Sequence, residues 1–207
     1  MTSDSGRERI LDVATRLFAA HGYDGTSTRL IAEAAGLNIA TVAYHVGGKR
    51  DLYLAVMERA HRAERAALEA AVADLLGDPP PGGPGGAALL ALVDRYIDFC
   101  AANPAVPALW MHRWLSDAAD VAHLENLYVR PLMDLVVSAV RPFADDGADV
   151  EYAVWTVIWA THGFARGGAL DADGRRRGMD DPAELARFRA HLHRLVTASL
   201  GLPEGAR

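Results

Sequence analysis

The chain has 207 residues, of which 51% are hydrophobic and 23% charged, with a formal net charge of −6. Such a chain buries a real core, in one large or two smaller domains, and is not a disordered tail. Residues 1–50 hold six Lys/Arg against five Asp/Glu and the remainder fifteen against twenty-two, so any polyanion-binding surface must be local.

Helical spacing recurs along the chain, and no convincing period-two strand runs appear. Residues 7–20 set Ile10, Ala14, Leu17 and Phe18 on one stripe, with His21-Gly22 as a stop. Ser27 or Thr26 can cap a second helix through about Ala35, with Ile31 and Ala35 facing inward. Gly36 supplies a sharp reversal. Asn38 can cap a third helix, about 39–46, which Gly47-Gly48 ends. A long fourth helix is expected from about Lys49 to Leu76.

GDPPPGGPGG at 77–86 forbids a helix and reads as a loop or hinge. Helices resume at 87–102 and after Asn103-Pro104, a cap followed by proline in a first turn. Residues 121–140 read as helical, with Pro131 kinking or dividing them. Helices at 150–166 and 182–200 close the chain, joined by the polar, glycine-containing stretch 167–181. The expected fold is all-α, with about nine helices. Residues 1–50 form a helix-turn-helix domain and 51–207 a larger helical domain.

The single cysteine, Cys100, excludes an intramolecular disulfide and fits a reducing cytosol. No signal peptide is apparent in the first thirty residues. The longest uncharged stretches, around 99–112 and 152–165, fall short of the roughly 18 residues a membrane span needs. The expected setting is cytoplasmic, away from membranes.

The first three helices carry more than packing. Leu37, Val42 and Val46 turn inward on the third, which leaves Ile39, Ala40, Ala43 and Tyr44 near the outer surface. Small or flat side chains let a helix approach base edges closely. Ala and Ile methyls can meet thymine methyls, and Tyr44 offers a ring and a hydroxyl. Thr28, Arg29, Thr41, His45 and Lys49, the only lysine in the chain, lie at or near helix ends, where hydroxyls and cations can meet phosphate oxygens. The helix N-termini after Ser27 and Asn38 add backbone N–H donors.

The string ILDVATRLFAAHGYDGTSTRLIAEAAGLNIATVAYHVGGKRDL, residues 10–52, resembles the TetR (tetracycline-repressor-like) family of bacterial transcriptional regulators. The resemblance covers about the first quarter of the chain. It implies a small N-terminal reading domain and a larger C-terminal ligand and dimerisation domain. It also implies phosphate contact by Thr28, Thr41 and Lys49 with His45 close by, and base contact by Arg29, Ile39, Ala40 and Tyr44. Two positions depart from the family pattern. Ala43 stands where a phosphate-reaching tyrosine is usual. Gly48 stands where a serine often caps the fourth helix, a change of ~0.5 kcal/mol or less because glycine is a fair cap.

In the larger segment, residues 150–166 are apolar nearly all round, which predicts burial on more than one side. Val150, Val154, Val157, Thr161 and Ala165 make one stripe; Trp155, Ile158, Trp159 and His162 make another. The final helix carries Leu185, Phe188, Leu192, Leu195 and Ser199 in three-four alternation. In the resembling family the last two helices pair with their symmetry mates. That assigns a dimer seam to Val154, Val157, Thr161, Leu185, Phe188, Leu192 and Leu195; the same stripes can also fill a monomeric core. Two reading heads then address a pseudo-palindrome.

Phe99, Trp110, Met111 and Trp114, with Tyr128, Trp155, Trp159 and His162, can line an apolar pocket with a few polar handles. Each also suits an ordinary core. The occupant that the resemblance implies is a small apolar or aromatic molecule.

Other chemistry finds no pattern. His191 and His193 are two apart, which on a helix separates them, and His112, His123 and His162 have no ligand-like spacing, so no metal is expected. Gly47-Gly48-Lys49-Arg50 is not a phosphate loop, no G-x-S-x-G elbow exists, and no cofactor motif is present. The residues point to a ligand-released repressor that is not an enzyme: the effector shifts the fourth helix, spreads two heads and lowers affinity for duplex operator DNA. The rival reading is an all-α small-molecule binder or enzyme that keeps the helix-turn-helix as a structural element.

Overall fold

In the computed structural model, residues 3–77, 86–115 and 123–202 are described. Nine α-helices run through them: α1 (Ser3–His21), α2 (Thr28–Ala35), α3 (Ile39–Val46), α4 (Lys49–Gly77), α5 (Gly86–Ala102), α6 (Ala105–Trp114), α7 (Arg130–Val140), α8 (Val150–Gly167) and α9 (Pro182–Leu200). The proline- and glycine-rich loop expected at 77–86 lies outside the described residues except for its first and last glycines, which end α4 and open α5.

Two local features add to the all-α architecture expected from the sequence. The stretch 167–181 contains a short antiparallel hairpin, β1 (Ala169–Leu170) paired with β2 (Arg176–Arg177). Two residues per strand are too few for period-two alternation to show. The interruption near Pro131 takes the form of a π-helical turn, Glu125–Val129, that leads directly into α7. Arg130 N donates to Glu125 O, and Pro131, which has no N–H to give, falls in the first turn of α7.

The chain divides into two compact units, one of residues 1–63 with 105–122 and one of 64–104 with 123–207. In the first, the buried side chains include Ile10, Ala14 and Phe18 of α1, Ile31 and Ala35 of α2, Val42 of α3 and Leu52, Tyr53, Val56 and Met57 of α4. The Phe18 and Tyr53 rings meet edge to face at 5.1 Å, and Tyr23 joins them at 4.9 Å from Tyr53. The helix α6 packs on α1 in this unit, with Val106, Leu109 and Trp110 buried.

In the second unit α5 is apolar on most sides, burying Leu89, Val93, Tyr96, Ile97 and Cys100. Around it lie Val136 and Val140 of α7, Val150 and Val157 of α8, and Leu192, Val196 and Leu200 of α9. A polar seam ties α9 to α5: Arg189 reaches Asp94 at 2.9 Å and Asp98 at 2.6 Å, and His193 Nε2 meets the same Asp94 carboxylate at 2.6 Å.

Candidate nucleic-acid interface

The reading unit is built from its caps. Ser27, not Thr26, caps α2: its hydroxyl oxygen accepts from Leu30 N at 3.1 Å. Thr26 turns inward, 1% exposed, and donates to Gly22 O at 2.8 Å. Gly36 ends α2 at φ +65°, and Leu37 N then reaches back to Ala32 O at 2.9 Å. Asn38 Oδ1 accepts from Thr41 N at 2.7 Å and from the Thr41 hydroxyl at 2.8 Å, which starts α3 two residues after the turn. At the far end, Gly47 N closes on Ala43 O, and the Asp51 carboxylate accepts from Gly48 N at 3.1 Å to open α4.

These caps decide which way α3 faces. Val42 is 1% exposed and anchors the inner side; Ile39 is 50% exposed and Tyr44 83%, with Ala40 and Ala43 open beside them. An unburied tyrosine and isoleucine on one short helix form a flat apolar surface with a hydroxyl at its edge. Such a surface suits base edges and thymine methyls. Its surroundings are mildly positive: residues 26–50 contain Arg29, Lys49 and Arg50 against Glu33 alone.

The remaining residues expected to contact DNA flank this face. Arg29 is exposed in the first turn of α2, beside half-buried Thr28, where the free N–H groups of the helix also point outward. Lys49 Nζ lies over the Tyr23 ring, 4.2 Å from its centroid, so the side chain is pre-positioned by a cation–π contact. His45 is half-buried and packs on α1, where a Cβ placed on Gly6 would come within 3.3 Å of its Nε2. The Tyr44 ring stands edge-on to it at 5.3 Å. The Thr41 hydroxyl is engaged by Asn38 in this state, so a phosphate contact from it requires rotation away from that cap.

The aromatic residues expected to line a ligand pocket divide between the two units. Trp110, Met111 and Trp114 belong to the first; Phe99, Tyr128, Trp155, Trp159 and His162 belong to the second. Trp159 is 48% exposed and stacks on Trp155 with centroids 5.4 Å apart. His162 is buried, and burial lowers its pKa from 6.5 to about 4, so its imidazole is neutral.

Sequence reading missed the partners of that histidine. His162 Nε2 is 2.7 Å from Tyr96 Oη, which in turn donates to Glu64 Oε1 at 3.3 Å. Tyr96 has one proton to give. With Nε2–H donating to Tyr96 and Tyr96 donating to Glu64, both hydrogen bonds form around a neutral imidazole. Burial and the Glu64 charge hold the Tyr96 hydroxyl well above its usual pKa. Burial and the same charge push Cys100, one turn along α5, up to about 12, so that thiol is inert. These contacts join residues 32 and 66 positions apart, and no periodicity announces them.

The residues assigned to a dimer seam also separate. Thr161 and Leu192 are 0% exposed within a single chain and Val157 is buried, so these three face the chain's own interior. Val154, Leu185 and Phe188 are half-buried, Phe188 stacking on Phe164 at 4.2 Å, and Leu195 is 36% exposed. The outer face of α8 instead carries Tyr152 and Trp159, with Thr156 and Gly163 on the same stripe.

Residues 10–56 match the family described as "Bacterial regulatory proteins, tetR family". The repressor AcnR of Corynebacterium glutamicum is 40% identical over 52 residues, 25% of this chain and 28% of that protein. The regulator AcrR of Shigella flexneri is 42% identical over 52 residues, 25% of this chain and 24% of its own length. The chain thus spans about a quarter of the length of these relatives. The likeness to solved structures runs further. The TetR-family regulator PfmR from Thermus thermophilus superposes with TM-score 0.66 at 21% identity, covering 92% of this chain and 94% of that one. AibR in complex with isovaleryl coenzyme A and operator DNA superposes with TM-score 0.70 at 17% identity, covering 96% and 99%. At such identities the likeness is one of fold. Residues 10–56 thus carry the sequence pattern of that family, and the chain as a whole shares its fold with PfmR and AibR.

Proposed function

We propose that this chain is a transcriptional repressor that binds duplex operator DNA as a homodimer and is released by a small-molecule effector. The observation that carries the reading is the outer face of α3, where Ile39, Ala40 and Tyr44 stand exposed over a buried Val42. In this reading Arg29, Ile39, Ala40 and Tyr44 contact bases. Thr28, Thr41 and Lys49 hold phosphates, Asn38 sets the α3 N-terminus, and His45 fixes the reading helix on α1. The boundary assigned at residue 50 falls just inside α4, which runs unbroken from Lys49 to Gly77.

That continuity supports the release mechanism. Residues 49–63 of α4 belong to the reading unit and 64–77 to the larger one. An effector that binds one position of α4 better than another therefore biases the reading helices that follow the same rod. The effector is an apolar or aromatic small molecule. The neighbour AibR, captured with both an acyl coenzyme A and operator DNA, supports such a pairing of ligand and DNA. The repressor works in the cytoplasm without cofactor, metal or catalytic step; among the described residues no helix is long and apolar enough to cross a membrane.

Fluorescence anisotropy against duplexes flanking the protein's own gene tests the reading. Binding is expected to be sequence-selective and steeply weakened by salt. Lys49→Ala lowers affinity for every duplex and reduces the salt slope by roughly 1, whereas Tyr44→Ala narrows the gap between operator and random DNA. If neither change moves DNA affinity, the contact assignment is wrong.

A further inference from the structure

The larger unit contains a half-open cleft of about 510 Å³ away from the Tyr96–His162 pair and from the aromatic face of α8. Its walls come from the end of α5, the end of α8 and the strand-to-helix segment after β2. Ala101, Pro104, Phe164 and Met179 give it an apolar side. Arg166, Arg176 and Asp180 give it charge.

A single backbone turn sets up this arrangement. Gly168 turns the chain at φ +57°, where an added Cβ would run into the carbonyl of Arg177, so only glycine lets the hairpin fold back against the end of α8. The fold-back brings Arg176 to the helix terminus, where its guanidinium donates to Gly167 O. Arg177 is taken up by Asp171 and Asp181. Arg166 and Asp180 are not: they line one cleft with opposite charges and make no ion pair among the described residues. The α8 C-terminus adds partial negative charge on the Asp180 side of this balance.

A ligand that matches every lining group needs a carboxylate for the guanidiniums and a cationic donor for Asp180 and the helix end. It also needs an apolar body for Phe164 and Met179. We propose that this cleft binds an apolar α-amino acid. Its carboxylate meets Arg166 and Arg176, its ammonium meets Asp180, and its side chain lies against Ala101, Pro104, Phe164 and Met179. A volume of about 510 Å³ falls in the range of small-molecule sites.

Isothermal titration of the purified full chain with three probes decides it. L-Phenylalanine carries both charges, 3-phenylpropanoate lacks the ammonium, and phenethylamine lacks the carboxylate. Saturable binding of phenylalanine is expected, about tenfold or more tighter than either single-charge probe, since hydrogen bonds between charged groups are the strong ones. Arg166→Gln should reduce the advantage over phenethylamine, with Arg176 left as the remaining carboxylate partner. Asp180→Asn should erase the advantage over 3-phenylpropanoate. Both side chains are exposed and make no ion pair among the described residues, so circular dichroism should show both variants folded as the parent. Equal binding of the three probes, binding that neither variant changes, or no saturable binding of phenylalanine overturns the proposal. The titration needs no DNA, so it fails or succeeds separately from operator binding.

Discussion

Tyr96 Oη lies 2.7 Å from His162 Nε2, joining α5 to α8 inside the core of the larger unit, and Glu64 on α4 accepts from the same hydroxyl. Three helices therefore meet through one phenol. Tyr96→Phe keeps the ring and its packing but leaves a buried imidazole and carboxylate each short of a hydrogen bond. The expected cost is about 1–3 kcal/mol for the two lost hydrogen bonds together, seen as a lower urea midpoint with an unchanged slope.

The same pair sets a pH dependence. His162 has a folded pKa of about 4 against 6.5 for the free group, because burial disfavours its charged form. Below pH 6.5 the unfolded chain gains a proton that the folded chain refuses, so this contribution is complete above 6.5 and is lost as pH falls toward 4. Its full size is about 3 kcal/mol. Urea unfolding of the parent and of His162→Gln at several pH values should show the parent losing stability faster across that window. Parallel curves would remove His162 as the source.

The Gly36–Asn38 turn makes a second test on the reading unit. Gly36 sits at φ +65°, and a Cβ there would meet Arg9 Nη2 at 3.2 Å. Gly36→Ala forces an alanine into the left-handed region, at about 1–2 kcal/mol. Asn38→Ala removes the acceptor for Thr41 N and should cost about 1 kcal/mol. Thermal unfolding measures both. The cap change should also loosen the N-terminus of α3, so its DNA affinity is expected to fall by more than the stability loss explains.

Trp159 offers a fourth test. With Tyr152 it leaves an aromatic face on α8 that a lone chain exposes to water, the two rings 6.3 Å apart. If the proposed homodimer forms through this face, Trp159→Ala should weaken self-association by about 2 kcal/mol or more, as truncation of a central aromatic does. Sedimentation equilibrium reads it directly. Truncating Leu192, which is 0% exposed, should lower stability first; a dimer indifferent to Trp159 places the seam elsewhere.

Local residue order was enough to reveal the nine helices, the Asn38 cap, the Gly36 turn and the exposed Ile39–Tyr44 face, while the choice of Ser27 over Thr26 as the α2 cap needed the structure. Capping and helical periodicity act within a few residues, so they leave a readable pattern. The tertiary structure alone decided that Thr161 and Leu192 point into the chain's own core and that α6 packs in the same unit as α1, α2 and α3. It alone brought Glu64, Tyr96 and His162 together, and placed Arg166 and Asp180 on one cleft. A helix that is apolar nearly all round, as α8 is, has no unique buried face until its neighbours are in place. Side chains tens of residues apart meet only after those helices have packed.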